Sequence, residues 1–294
     1  MEALALFATP GPWIPRPNFT LPGELQLMLA SGLRPKILVS GPPGCGKSRM
    51  LEQLQAELSD SAQVVLVDLG GTADLPVLES LVRSMGGKRQ EGLREVIAEY
   101  ASALPLLVVV DGFDKVESGV AKNLFGPNSP WFHPLLPAMV VLGPPTLLTW
   151  GREQWDSRFD RFEALVPFPV RRLDGAPDVR GLPAMLQILR QYWPAGSKHL
   201  RELALASGGL PRDALRMLRD ALLIGQGKLT PAGVQGAITR MEQELRQGLS
   251  PQQAADLAQI EKSHLFQGDP CLIERGLALR DGSGAWAVHP LLRG

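Results

Sequence analysis

Two cysteines, Cys45 and Cys271, in 294 residues leave no basis for a disulfide framework or a thiolate metal cage. Aromatic residues make up only 6% of the chain, and its six tryptophans show no even spacing that would build a base-stacking platform. Charged residues are also few, at 20%, and the formal net charge is zero, short of the basic surplus of a dedicated nucleic-acid module. The longest strongly apolar runs, 104–110 and 138–142, fall far below the ~20 residues that cross a bilayer. No basic start follows Met1, so a secretory signal is not expected. These absences predict a soluble, cytoplasmic protein with no membrane association and about two domains, at ~100–200 residues each.

Glycine (31) and proline (26) are plentiful, and they punctuate the chain rather than forming a low-complexity tract. Charge is unevenly shared: residues 1–170 hold 14 Lys+Arg against 18 Asp+Glu, and residues 171–294 hold 16 against 12. That split permits an anionic partner for the C-terminal half without demanding one. Prolines 10, 12, 15 and 17 make the first 20 residues an extended lead-in. A short helix is expected over 22–31, closed by Gly32. Continuous apolar runs at 37–40, 64–68, 106–111 and 146–150 read as strands buried on both faces, the pattern of a parallel sheet. Helical stripes lie between them at 50–58, 75–85 and 93–103, and residues 164–173 offer a fifth, edge strand. Beyond about 175 the texture turns helical, over 179–192, 197–207, 212–224, 231–246 and 251–263. A hairpin over 277–288 then turns at Asp281-Gly282-Ser283-Gly284.

The motif with the most chemistry is Gly41-Pro42-Pro43-Gly44-Cys45-Gly46-Lys47-Ser48, placed after a strand and opening a helix. Its glycines let main-chain N–H groups turn inward around phosphate oxygens, and the helix N-terminus adds positive potential. Lys47 is placed to neutralise the β/γ-phosphates and the Ser48 hydroxyl to ligate Mg²⁺; Arg49 completes the expected ATP-binding set. Leu106-Leu107-Val108-Val109-Val110-Asp111 delivers a carboxylate to the edge of the sheet where ligands bind, so Asp111 is the second expected Mg²⁺ residue, or else a helix cap. Asp114 could orient or deprotonate the attacking water, or be a solvated loop carboxylate. Thr149 stands at the end of the 146–150 run and Arg152 just past it, where they could touch the water and the γ-phosphate; an ordinary surface arginine is the alternative for Arg152. Arg212, after Gly208-Gly209-Leu210-Pro211, could reach back to the phosphates from the helical half. Arg158 and Arg161, read on a helix, are weaker candidates for an arginine finger into a neighbouring subunit.

Taken in order, Gly-Pro-Pro-Gly-Cys-Gly-Lys-Ser, Val-Val-Val-Asp-Gly-Phe-Asp, Leu-Leu-Thr-Trp-Gly-Arg and Gly-Gly-Leu-Pro-Arg resemble a bacterial AAA+/STAND-type P-loop ATPase over residues 20–245. The resemblance implies an α/β fold: a three-layer parallel-sheet core at 21–175 after the 1–20 lead-in, a helical lid at 176–246, and a winged-helix-like segment at 247–294. It implies Asp111 as the second acidic motif, Thr149 and Arg152 as the first sensor, and Arg212 as the lid arginine. It departs at Gly112 and Lys115, where such ATPases commonly carry glutamate, so hydrolysis is expected to be slow or to rest on Asp114. Since the chain reaches no effector domain, a separate protein partner is expected to carry the output, with self-association and DNA as further partners to consider.

No Asn-Lys-x-Asp guanine reader occurs, and Ser207-Gly208-Gly209 lies after the acidic strand, the reverse of the order in an ABC transporter subunit. A small-molecule kinase leaves the helical half unexplained. Two functions remain at this level: an ATP-hydrolysing switch or assembly ATPase, and a weakly hydrolysing ATP-bound regulator that grips DNA through its C-terminal element.

Overall fold

A computed structural model of the chain describes residues 13–16, 20–68, 104–112, 137–149, 159–194, 198–281 and 283–293. The helical stripes expected at 75–85 and 93–103 lie outside these residues. The chain forms two units: Thr20–Gly41 with Lys47–Ala164, and Met1–Phe19 with Pro42–Gly46 and Leu165–Gly294.

In the first unit, helix α1 (Leu21–Ala30) starts at Pro22 near its N-terminus and buries Leu21, Leu25 and Leu29, one stripe at four-residue spacing. Strand β1 (Lys36–Ser40) follows, then helix α2 (Lys47–Leu58), which buries Met50, Leu51, Leu54 and Leu58 as its stripe predicts. Strands β2 (Gln63–Asp68), β3 (Leu106–Asp111), β4 (Ala138–Gly143) and β5 (Arg161–Ala164) complete a parallel sheet in the order β2-β3-β4-β1-β5. All of β4 is buried, as is β3 up to Val110, so both faces of the sheet's centre are covered and the apolar runs need no alternation. The Ser40 hydroxyl donates to Pro144 O at 2.7 Å and ties the C-terminal ends of β1 and β4 together.

Three expectations need correction. The run at 146–150 is not a strand: Pro145–Leu148 forms a 3₁₀ turn, and the strand is the preceding run, Ala138–Gly143. Pro144 and Pro145 explain the switch, because two fixed φ angles and two missing donors end the ladder and pre-set the turn. The edge strand lies at Arg161–Ala164 rather than 164–173. Past Ala164 the backbone bonds elsewhere, with Phe168 N donating to Gly209 O at 3.0 Å and Asp178 N to Val170 O at 2.8 Å. Arg161 therefore sits on strand β5, not on a helix, and ion-pairs with Glu24 and Glu163.

The second unit is mostly helical: α3 (Leu182–Tyr192), α4 (Lys198–Ala206), α5 (Pro211–Ile224), α6 (Pro231–Arg246), α7 (Pro251–Ser263) and the single turn α8 (Cys271–Glu274). Local signals fix the starts. Thr230 caps α6 through Gly233 N, and Ser250 with Gln253 forms a capping box on α7. Met185, Leu189, Leu203, Met217, Leu218, Val234 and Met241 interlock in one core. Strands β6 (Ala278–Arg280) and β7 (Trp286–Val288) pair antiparallel in the expected hairpin.

Next to that core lies an ionisable pair, buried His289 and half-buried Asp213, with His289 Nε2 3.7 Å from Asp213 Oδ2. Burial pushes the His289 imidazole down to about 4, aided by Arg293 and opposed by a Ser207 backbone hydrogen bond. Burial also raises the Asp213 carboxyl to about 6, against the pull of Arg216 and Arg212.

Two predictions come from this unit. Gly209 has φ +84°, and a Cβ there would lie 1.9 Å from Phe168 O; Gly227 has φ +85° with nothing within 4 Å. Gly227→Ala should cost only the left-handed strain of ~1–2 kcal/mol, and Gly209→Ala at least ~1–3 kcal/mol more, as read by urea denaturation. Equal losses would contradict the close approach. For the ionisable pair, the unfolded imidazole takes up a proton that folded His289 refuses, so His289 alone costs stability as pH falls from 6.5 to about 4. Asp213 alone does the opposite as pH falls from about 6 towards 3.8, because its folded carboxyl is protonated first. The two slopes cancel in the native chain. Relative to it, Asp213→Asn should lose stability towards acid and His289→Asn should gain it, each approaching ~1.4 kcal/mol per pH unit between about pH 6 and 4.5. Parallel pH profiles for all three proteins would contradict this.

Candidate functional site

Strand β1 feeds the chain directly into the glycine-rich loop, and α2 carries the last two residues of the motif. Lys47 is buried although charged, at 7% exposure, and its ammonium donates to Gly41 O at 2.9 Å. The next residue, Ser48, donates its hydroxyl to Asp111 Oδ2 at 2.9 Å. Asp111 ends β3, with the sheet's apolar interior behind it, and its Oδ1 accepts from Gly112 N at 2.6 Å. Residues 63 positions apart in sequence thus present a hydroxyl and a carboxylate to the same point at the carboxyl edge of the sheet. Arg49, also expected in the nucleotide set, turns along α2 to ion-pair with Glu52.

The middle of the loop, Pro42–Gly46, belongs to the second unit. Gly44 and Gly46 have φ of +81° and +97°, and Cys45 N donates to Pro42 O at 3.3 Å. Arg212, the second residue of α5, donates its backbone N–H to Gly44 O at 3.2 Å. Its side chain runs across the glycine, where a Cβ on Gly44 would lie 2.8 Å from Arg212 Cβ and 3.5 Å from Arg212 Nε. Any side chain at 44 would collide with it. The Cys45 side chain is fully buried, while its carbonyl accepts from the guanidinium of Arg16.

Arg16 also touches this loop, a contact that the sequence reading did not anticipate. It is 9% exposed, donates also to Val166 O, and lies 4.3 Å from the centroid of the Phe168 ring. Its Nε has no partner. Burial lowers the pKa of the guanidinium, with only Cys45 opposing, but not far enough to discharge an arginine. The one local hint was an arginine between two prolines after Trp13-Ile14, which keeps the segment extended. Its contacts, 29 and 150 residues away, leave no periodic trace.

Of the other candidates, Thr149 closes the 3₁₀ turn and donates its hydroxyl to Thr146 O at 2.7 Å. Asp114, Arg152 and Arg158 lie outside the described residues. The donor chemistry fits the nucleotide and metal that the motif implies. A hydroxyl and a carboxylate 2.9 Å apart are the hard oxygen ligands from which Mg²⁺ takes one or two, keeping water and phosphate for the rest. A buried lysine beside that pair in the same unit is the complement of a polyanion.

Residues 37–136 match the family model "ATPase family associated with various cellular activities (AAA)". Over 93 residues the chain is 30% identical to the Ribosome biogenesis ATPase RIX7 of Saccharomyces cerevisiae, a stretch covering 31% of this chain and 10% of that protein. Over 88 residues it is 32% identical to an uncharacterized AAA domain-containing protein of Schizosaccharomyces pombe, covering 29% and 10%. The chain therefore aligns with only about a tenth of the length of these curated relatives. Among solved structures, Cdc6p from Pyrobaculum aerophilum superposes with a TM-score of 0.51 at 16% identity, covering 98% of this chain and 94% of that one, which identifies a shared fold. No helix among the described residues is long and apolar enough to cross a membrane. The strand order, the Ser48–Asp111 contact and the family match point the same way: residues 37–136 are similar to an AAA-family P-loop ATPase domain, and the described part of the sheet has the matching fold.

Proposed function

We propose that this chain binds ATP with Mg²⁺, hydrolyses it slowly, and acts as a nucleotide-dependent switch or assembly ATPase for a separate protein partner. The observation that carries the reading is the 2.9 Å meeting of Ser48 and Asp111 beside a buried Lys47. When bound, ATP with Mg²⁺ supplies the electrophilic phosphorus and most of the charge neutralisation. Main-chain N–H groups of the 41–48 loop cradle the phosphate oxygens, Lys47 steadies the β/γ end, and Ser48 and Asp111 hold the metal. Asp114 is the proposed residue that orients the attacking water, with Thr149 and Arg152 as first sensor. Gly112 and Lys115 occupy the sequence positions where such ATPases commonly carry glutamate, which supports slow turnover.

Arg212 is the proposed reporter in a helical lid. It already holds Gly44 through its backbone and covers it with its side chain. A change in loop conformation must therefore move the start of α5, and α5 is locked into the helical core through Ala214, Met217 and Leu218. The DNA-gripping alternative has less support. A concavity of about 700 Å³ beside the hairpin is lined by Arg171, Arg172, Arg180, Arg280 and Arg293. Arg180 is held by Asp178, however, and Arg171 and Arg293 donate to backbone carbonyls.

Steady-state phosphate release by the purified chain tests the reading. Lys47→Ala should lower the rate by ~10²-fold or more, the usual cost of removing a transition-state charge clamp. Release unchanged in that variant would remove the assignment.

A further inference from the structure

Arg16 is a buried cation with no counter-ion among the described residues. Its two terminal nitrogens donate to neutral carbonyls, of Cys45 and Val166, its planar face lies over Phe168, and its Nε has no partner. Among the described residues no carboxylate pairs with it. Burying such a charge costs several kcal/mol that carbonyls and a ring only partly repay. A group of that kind is retained where a negative charge is to arrive.

The point of attachment shows which charge. The Cys45 carbonyl that accepts from Arg16 and the N–H of Gly46 are the two ends of one peptide plane. A cation on the carbonyl end polarises that plane and makes the Gly46 N–H a stronger donor. Arg16 reaches Gly46 as well, since a Cβ there would lie 3.8 Å from its Nη2. In a loop of this type, carbonyls face out and N–H groups face the phosphates.

We infer that Arg16 is a positioning residue of the phosphate-binding loop, bracing it from the carbonyl side, and that the polyphosphate of the nucleotide completes its charge. The inference rests on the ATP reading above and adds Arg16 to the residues that hold the 42–46 loop. With phosphate present, the charge of Arg16 is balanced and its grip on Cys45 and Val166 is secured.

The test uses the full chain with MgATP. Arg16→Gln keeps hydrogen-bonding capacity and loses charge, whereas Arg16→Lys keeps charge and loses the fork. Calorimetric titration should show ATP bound about tenfold or more weakly by Arg16→Gln and within about threefold of native by Arg16→Lys. The melting temperature without nucleotide should not fall in Arg16→Gln, while the rise produced by ATP should shrink. In turnover, KM should rise more than kcat falls, the signature of lost binding rather than lost chemistry. A lower melting temperature without nucleotide, combined with native ATP affinity, would show a purely structural post and overturn the inference. Should Arg16→Gln fail to fold, tenfold weaker binding by Arg16→Lys would overturn it equally, because the charge is kept. If the native chain itself gives neither binding heat nor a thermal shift with ATP, the ATP reading fails, a different result from any Arg16 effect.

Discussion

The hydrogen bond from Ser48 to Asp111 depends on most of the first unit being correctly built. Asp111 reaches its place only because β3 runs buried between β2 and β4, and Ser48 only because β1 ends at Ser40 and α2 begins at Lys47. Parallel order puts the C-terminal ends of these strands on one edge. An uncharged interior then forces the first polar residue on each to stand at the rim. The apolar runs are therefore the cause of the site: they leave the chain no depth at which to hide a carboxylate other than that edge.

Within the second unit, Arg212 and Arg16 both contact the 42–46 loop, and the two residues do different work. Arg212 is exposed and controls Gly44 by bulk and by one backbone bond, which suits a contact that reports movement. Arg16 is buried and controls Cys45 by charge. Asp213, the next residue, is half-buried 3.7 Å from His289, and α5 packs into the helical core through Ala214, Met217 and Leu218. Gly209, pressed against Phe168, fixes the turn that precedes α5.

Much of this was legible in the sequence, for identifiable reasons. α2 could be read from its apolar stripe, β3 from a continuous apolar run ending in a carboxylate, and the loop from residues whose chemistry has few other uses. The starts of α6 and α7 followed from Thr230-Pro231 and Ser250-Pro251, where a cap side chain precedes a proline at the first helical position. The fourth strand is misplaced in the sequence reading because 138–143 and 146–150 are adjacent runs that can each be read as a strand. Pairing with β1 and β3 selects the first, and Pro144-Pro145 rejects the second. Arg161 was placed on a helix although it forms the sheet's edge, a position set by pairing with β1 and by Glu24 across the chain. Arg16 was illegible for the same reason at greater range: its partners are fixed only by tertiary closure.

The central claim is that Ser48 and Asp111 share one divalent cation with the triphosphate. Electron paramagnetic resonance of Mn²⁺, replacing Mg²⁺, addresses it directly by comparing metal affinity with ATP present in the native chain, Ser48→Ala and Asp111→Asn. The account predicts a protein-bound Mn²⁺–ATP signal in the native chain, weakened in Ser48→Ala and lost in Asp111→Asn at equal metal concentration. An unchanged bound signal in Asp111→Asn would contradict it.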